Sequence, residues 1–363
     1  MAHIAIDARI INSSTGTYVE RLLHYLQEVD QVNQYTVIVP TKDRLFWQPT
    51  ADNFTIQTAD FDNYSFAEQV GFKKYLDNFN PDLVHFCMPQ QPIFYRGNKV
   101  TTFHDLNLIH TYNSDKNWLI YHAKQLVGRF VFKSVAKSNN YIITPSQYSK
   151  NDLLKFVTIP ADKITVTYES ADVSNSPNKP YQHPFKNFIM YVGQQSDYKN
   201  IRRLGDAHQQ LIKKHPDLGL ILVGRKNASA LQNEAYFNSK NYKNILFTDF
   251  IPDAQRNWLY TQAAAYIFPS LMEGFGLPGL EAMGYGAPVV SSNATCLPEV
   301  YGDAAHYFDP NNTDDIVRAI DEVISNEALQ KDLVEKGYKQ LKKYSWHRMA
   351  EQTHAVYMMA LKG

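Results

Sequence analysis

At 363 residues, with 44% hydrophobic and 20% charged content, the chain exceeds one usual hydrophobic core and is expected to be a globular protein of two domains. Its formal net charge is zero, which excludes a nucleic-acid binder that relies on a broad basic field. No apolar run is long enough to cross a bilayer, and Met1-Ala-His-Ile-Ala-Ile-Asp reads as a strand rather than a signal peptide. Cys87 and Cys296 lack partner spacing and read as reduced core thiols, so a cytoplasmic protein is expected.

The first strand is expected over His3–Ala8, followed by Asn12-Ser-Ser-Thr-Gly-Thr and a helix with apolar positions Val19, Leu22, Leu23 and Leu26. Strand, glycine turn and helix open a dinucleotide-type fold. The turn carries Gly16 alone rather than G-x-G-x-x-G, which disfavours a nicotinamide or flavin cofactor. Strand Tyr35–Val39 comes next, then a polar stretch through Asn63 without a strong period. Asp60-Phe-Asp62 is a D-x-D by letter only, since no strand end is positioned before it, and no metal is inferred.

Two buried parallel strands are expected in Asp82-Leu-Val-His-Phe-Cys and Val100-Thr-Thr-Phe-His-Asp-Leu. The second ends in His104-Asp105, where ligand sites of open α/β sheets gather. The helix from Trp118 to Lys137 has a broad apolar face and no acidic residue, with His122, Arg129, Lys133 and Lys137 on one stripe. It reads as a domain helix packed on the sheet with a solvated basic edge. The sharper alternative is contact with a membrane surface or an anionic acceptor. Strand Tyr141–Thr144, an N-cap at Ser146 and a last strand beginning at Lys163 complete the first domain.

Asp172 to Pro184 is a linker-like shift in composition, after which the opening pattern repeats. Phe188–Val192 is a strand, Gly193 a turn, and Asn200 the expected N-cap of helix Ile201–Lys214. Lys199, immediately before that helix, could neutralise the charge of a diphosphate. The repeat implies two Rossmann-like domains facing a central cleft, at 1–176 and 177–345. A final helix is read over 346–363. Strands Leu218–Val223 and Asn244–Thr248 follow, then helix Ala254–Ala264 and strand Tyr266–Phe268.

Pro269 to Val290 organises the rest. Gly274 and Gly276 flank Phe275 in a loop, Pro278 suits a first helical position, and Gly284 or Gly286 ends a short helix. Such a helix start suits a phosphate or an anionic sugar oxygen. A carboxylate aimed at phosphate would repel it, so Glu281 is expected to accept hydrogen bonds from ribose hydroxyls and Glu273 from those of a second sugar. The inferred ligand is a sugar joined to a nucleoside through a diphosphate.

Glu273 and Glu281, within Glu-Gly-Phe-Gly-Leu-Pro-Gly-Leu-Glu-Ala, resemble the paired-glutamate signature of retaining glycosyltransferases of family four. The resemblance implies the GT-B architecture, with an acceptor domain first, a nucleotide-sugar donor domain second and the last helix crossing back to pack on the first domain. It implies that Glu281 binds the donor's ribose and Glu273 the transferred sugar. The loop from Gly274 through Phe275 and Gly276 to Leu277 would contact sugar and diphosphate. Lys199 matches the phosphate-binding lysine, Gly16 lies across from the diphosphate, His104 sits beside the reactive centre, and Phe250 and Ile251 lie beside the nucleobase. One departure stands out: where many members follow the glycine of the turn at Gly193 with Arg, this chain has Gln194, so Lys199 is expected to carry an unusually large share of the phosphate stabilisation unless Arg202 or Arg203 from the following turn reaches in.

The function so implied is retaining, metal-independent transfer of a hexose-type sugar from a UDP- or GDP-sugar to a hydroxyl acceptor on a glycan or lipid. No cofactor is expected, and His104, Lys199 and Glu273 are the catalytic candidates. The other readings are a nucleotide-sugar epimerase on a related fold and a non-catalytic sugar-nucleotide binding protein.

Overall fold

The computed structural model describes residues 1–13, 15–110, 118–174 and 177–362, leaving out the side chains of 118–124. His122 of the basic stripe therefore lies outside the described side chains. The chain forms two compact units, Met1–Glu169 with Ser345–Gly363, and Ser170–Tyr344. The chain thus passes between units at Glu169–Ser170, ahead of the join read from the linker composition at 176.

The first unit holds seven parallel strands: β1 (His3–Asp7), β2 (Gln34–Val39), β3 (Phe54–Thr58), β4 (Leu83–Phe86), β5 (Lys99–Thr102), β6 (Tyr141–Thr144) and β7 (Ile164–Val166). Their order is β3-β2-β1-β4-β5-β6-β7. Ile4, Ala5, Ile6, Leu83, Val84 and Phe86 are all fully buried, so these strands show runs of apolar residues rather than alternation. The strand β3 lies inside the stretch read as aperiodic. It is an edge strand in which only Phe54 is buried, paired in register with Tyr35 of β2, and so carries too little apolar signal to find. Its end at Thr58 also corrects the reading of Asp60-Phe-Asp62, which does follow a strand end. Asp60 accepts from Thr41 N at 2.8 Å and Thr41 Oγ1 at 2.6 Å, bonds that hold its carboxyl below the usual range.

The last helix, Trp346–Lys362, packs within the first unit against helix Gly16–Val29. Met349, Ala350, Thr353, Val356, Tyr357 and Ala360 form its buried stripe at helical spacing. Asn98 Nδ2 donates to the carbonyl of Ala360 at 2.6 Å, and Tyr357 Oη lies 2.6 Å from Nδ1 of the fully buried His85.

The second unit holds six parallel strands: β8 (Asn187–Val192), β9 (Leu218–Val223), β10 (Ile245–Phe247), β11 (Ala265–Phe268), β12 (Val289–Ser292) and β13 (Ala305–Phe308). The order β10-β9-β8-β11-β12-β13 reverses direction of winding between β8 and β11, where open α/β sheets place their ligands. The loops leaving these two strands meet. Leu271 N donates to Tyr198 O at 2.8 Å, and Asn200 Nδ2 donates to the carbonyls of Pro269 and Pro310 at 3.1 and 2.8 Å. Asn200 is therefore not the expected side-chain N-cap. It takes the left-handed conformation, φ 61°, and its carboxamide ties loops together ahead of helix Ile201–Leu211. The helix in the glutamate stretch runs Leu277–Gly284, starting one residue before Pro278.

Candidate active site

The junction of β8 and β11 brings together residues far apart in sequence. Lys199, in the short turn after β8, lies with Nζ 2.6 Å from Glu273 Oε1 in the loop after β11. Both side chains are largely buried, 14% and 12% exposed. The ammonium also sits 5.0 Å from the ring centre of Tyr198 and 5.5 Å from that of Phe268. Burial alone would lower the lysine's pKa, but the Glu273 carboxylate more than offsets it and holds the group well above its ordinary value. Lys199 is thus a fixed positive charge in a mostly dry setting. Two buried donors at the same junction, Gln195 Nε2 and Ser270 Oγ, have no partner among the described residues.

The glutamate loop is fastened from the segment after β12. Glu273 N donates to Thr295 Oγ1 at 3.1 Å, Cys296 Sγ donates to Glu273 O at 3.2 Å, and Tyr301 Oη donates to Gly276 O at 2.5 Å. Gly276 has φ 97°, and a Cβ there would lie 2.5 Å from Tyr301 Oη, so both backbone and space require glycine. Phe275 is buried with its ring edge-on to Tyr344 at 5.5 Å, which makes it a core anchor of the loop; Gly274 is buried and Leu277 half-buried.

Glu281 stands on the following helix, half-buried, with Tyr260 Oη 3.4 Å from its Oε2. Burial raises its pKa, opposed by the nearby Arg256 guanidinium and by Tyr260. Neither Arg256 nor Tyr260 was singled out from sequence. Their only signal was four-residue spacing on one helix face, which many surface pairs share.

The remaining expected contacts divide. Phe250 is 66% exposed and has the Arg225 guanidinium 5.4 Å from its ring centre, whereas Ile251 is buried at 8% and belongs to the core. Gly193 has φ 139°; Gln194 is exposed, with its carbonyl accepting from Tyr191 Oη at 2.5 Å. Arg203 Nη1 donates to Pro310 O at 2.8 Å and to Asn200 Oδ1 at 3.1 Å. Arg202 donates to Asn233 and lies 5.4 Å from the Tyr236 ring centre. Each arginine is thus engaged by its own neighbours, while Lys199 faces Glu273.

Gly16 and His104 belong to the first unit. A Cβ on Gly16 would come within 1.9 Å of Ile11 O, so the residue lets the helix begin against the preceding turn. His104 Nε2 donates to Cys87 O at 3.0 Å, and Nδ1 lies 3.4 Å from Glu169 Oε1, a buried carboxylate that sequence reading missed. Tyr18 packs edge-on against the imidazole at 4.7 Å. Nothing local marks Glu169, which sits past the end of β7.

Helix Trp118–Ser138 differs from its expected packing. Gly128, Phe132, Val135 and Ala136 face inward, but Leu126, Val127 and Phe130 are 71%, 62% and 61% exposed, beside the exposed Arg129, Lys133 and Lys137. Among the described residues no group of three or more His, Cys, Asp or Glu is gathered as metal ligands, and no helix is long and apolar enough to cross a membrane.

Residues 15–175 match the family described as Glycosyltransferase Family 4, and residues 175–340 match Glycosyl transferases group 1. The O-antigen chain mannosyltransferase B of Escherichia coli is 32% identical over 274 residues, covering 72% of this chain and 70% of that protein. The serotype-specific mannosyltransferase WbdA of Escherichia coli is 29% identical over 230 residues, covering 58% of this chain and 27% of that protein. The chain thus spans about a quarter of WbdA. Among solved structures, a sucrose-phosphate synthase from Thermosynechococcus elongatus shares the fold over 99% of both chains, with a TM-score of 0.76 and 16% identity.

Proposed function

The chain belongs to glycosyltransferase family 4, and from that premise we propose a retaining, metal-independent hexosyl transfer. The donor is a nucleoside-diphosphate sugar, and the acceptor is a hydroxyl of a glycan or lipid-linked glycan. The relatives named as mannosyltransferases favour a mannosyl residue as the group moved. One observation carries the reading: the Lys199–Glu273 pair at 2.6 Å, with Glu281 on the helix that follows the same loop.

A departing diphosphate concentrates negative charge where the sugar's C1–O bond breaks. A cation already desolvated and held in place stabilises that charge without reorganising at the moment of reaction. Lys199 fits this role, with Glu273 holding the ammonium in position and receiving the hydroxyls of the transferred sugar. Glu281, backed by Arg256 and Tyr260, accepts the ribose hydroxyls. The acceptor oxygen bonds to C1 on the face the diphosphate leaves, and its proton passes to the leaving phosphate oxygen. No covalent sugar–enzyme bond is needed. His104 lines the reactive side of the first unit, its ring fixed by Cys87, Glu169 and Tyr18 rather than free as a general base.

The outward face of helix Trp118–Ser138 supports a partner beyond the substrates: an anionic membrane surface carrying the acceptor lipid. Leu126, Val127 and Phe130 offer apolar area, and Arg129, Lys133 and Lys137 offer charge on a helix without an acidic residue.

The test is release of free nucleoside diphosphate from a panel of UDP- and GDP-sugars, with and without pooled glycan and lipid-linked acceptors. Acceptor-dependent release is expected. An epimerase would convert the donor sugar without releasing diphosphate, and a silent binder would do neither.

A further inference from the structure

Thr295 takes the left-handed backbone conformation, with φ 56°. For a β-branched residue this is strained, and most such positions in this chain fall to Asn, Asp or Gly. A loop that merely turned after β12 would be better served by glycine. What glycine lacks is the hydroxyl. Thr295 Oγ1 accepts the backbone N–H of Glu273 at 3.1 Å, and the neighbouring Cys296 thiol donates to the carbonyl of the same residue at 3.2 Å. Burial and the nearby Glu273 carboxylate push the Cys296 thiol up, so it stays protonated and able to donate. The peptide groups on both sides of Glu273 are thereby pinned by two successive residues of another loop. The carboxylate they position is the one that holds Lys199 at 2.6 Å.

We propose that Thr295 is a positioning residue for the reaction: its strained conformation aims a hydroxyl that sets the Glu273 backbone, and through it the geometry of the Lys199–Glu273 pair. The inference rests on the proposed role of that pair in transfer. It goes beyond the glutamate motif, because Thr295 lies outside it and acts on a main-chain group. Loss of the hydroxyl should lower turnover more than binding of the nucleoside diphosphate, since Glu281 is held by Arg256 and Tyr260 instead.

Three variants separate this from a plain structural role. Thr295→Gly removes strain and hydroxyl together, Thr295→Ser keeps a hydroxyl, and Thr295→Val keeps the branch without it. Amide hydrogen exchange at Glu273 should quicken at least tenfold in Thr295→Gly and Thr295→Val and return towards wild type in Thr295→Ser. With GDP-mannose or whichever sugar nucleotide the wild type turns over, kcat should fall at least tenfold in Thr295→Gly while its melting temperature is unchanged or raised. Dissociation constants for GDP and UDP should move less than threefold, and Thr295→Ser should recover most of kcat. Unchanged exchange, an unimpaired Thr295→Gly, a Thr295→Ser as slow as Thr295→Gly, or melting temperature and kcat falling together would each overturn the proposal. A wild type that turns over no sugar nucleotide would sink the functional reading instead, and the exchange comparison would still decide whether Thr295 anchors Glu273.

Discussion

Lys199 keeps its charge because a carboxylate stands 2.6 Å away, in surroundings that would otherwise favour the neutral amine. With Gln194 in the place of an arginine, and with Arg202 and Arg203 bound to Asn233 and Pro310, the proposed function puts most of the phosphate stabilisation on this one ammonium. Lys199→Ala should lower transfer by at least about a hundredfold, the scale seen when one preorganised donor to a developing charge is lost. Gln194→Ala should cost less than about tenfold, as befits a neutral hydrogen bond. Steady-state kinetics on these variants, with Arg202→Ala and Arg203→Ala beside them, would expose a misplaced phosphate clamp if an arginine variant is slower than Lys199→Ala. The two glutamates should separate by assay. Glu281→Ala should weaken calorimetric binding of nucleoside diphosphate alone, and Glu273→Ala should spare that binding while lowering turnover of the intact donor; the reverse pattern contradicts both assignments. Lys199, Glu273 and Glu281 could be picked out as candidates because each sits in a short local pattern, but the contact of Lys199 with Glu273 across 74 positions could not. Thr295, Arg256 and Glu169 were not, since common residue types acquire meaning there only through tertiary contacts. Asn200 misled for a related reason: an Asn before a helix suits an N-cap and a left-handed turn equally.

At the scale of elements, the strands with continuous apolar runs were readable, and β3 was not, because an edge strand with one buried residue looks like polar loop. Helix Trp346–Lys362 was readable from its period, but not its polar link to the sheet through Tyr357 and His85. His85 lies among Tyr357, Thr102 and the more distant His104, and burial depresses its pKa to about 3. A depressed histidine contributes stability that is fully present above its unfolded value near 6.5 and is lost as pH falls towards the folded one. From that shift, about 2 kcal/mol should disappear between pH 7.5 and pH 5. Denaturant unfolding at both pH values should show this loss in the wild type and a smaller one in His85→Asn; equal losses would mean the histidine is not buried neutral. Helix Trp118–Ser138 carries the other element-scale prediction. Replacing Arg129, Lys133 and Lys137 with Ser should weaken sedimentation with phosphatidylglycerol vesicles by about a hundredfold at low salt, at roughly 1 kcal/mol per charge. Replacing Leu126 and Phe130 with Ser should also weaken it, and a wild type indifferent to such vesicles would return the helix to a solvated face.

For the whole molecule, two parallel sheets each reverse their winding once, and in the second unit that reversal alone explains how Lys199 and Glu273 meet across 74 positions. In the proposed function a lysine supplies the positive charge that a divalent ion could offer a leaving diphosphate, so transfer should need no added metal. In the proposed mechanism the acceptor attacks from the face the diphosphate vacates, so the anomeric configuration should be retained. The most direct measurement is proton NMR of the transfer reaction, with an α-linked donor such as GDP-mannose, a competent acceptor and excess chelator. An α-linked product formed with stoichiometric release of nucleoside diphosphate is the predicted result. A β-linked product, or transfer abolished by chelator and restored by a divalent ion, would contradict it.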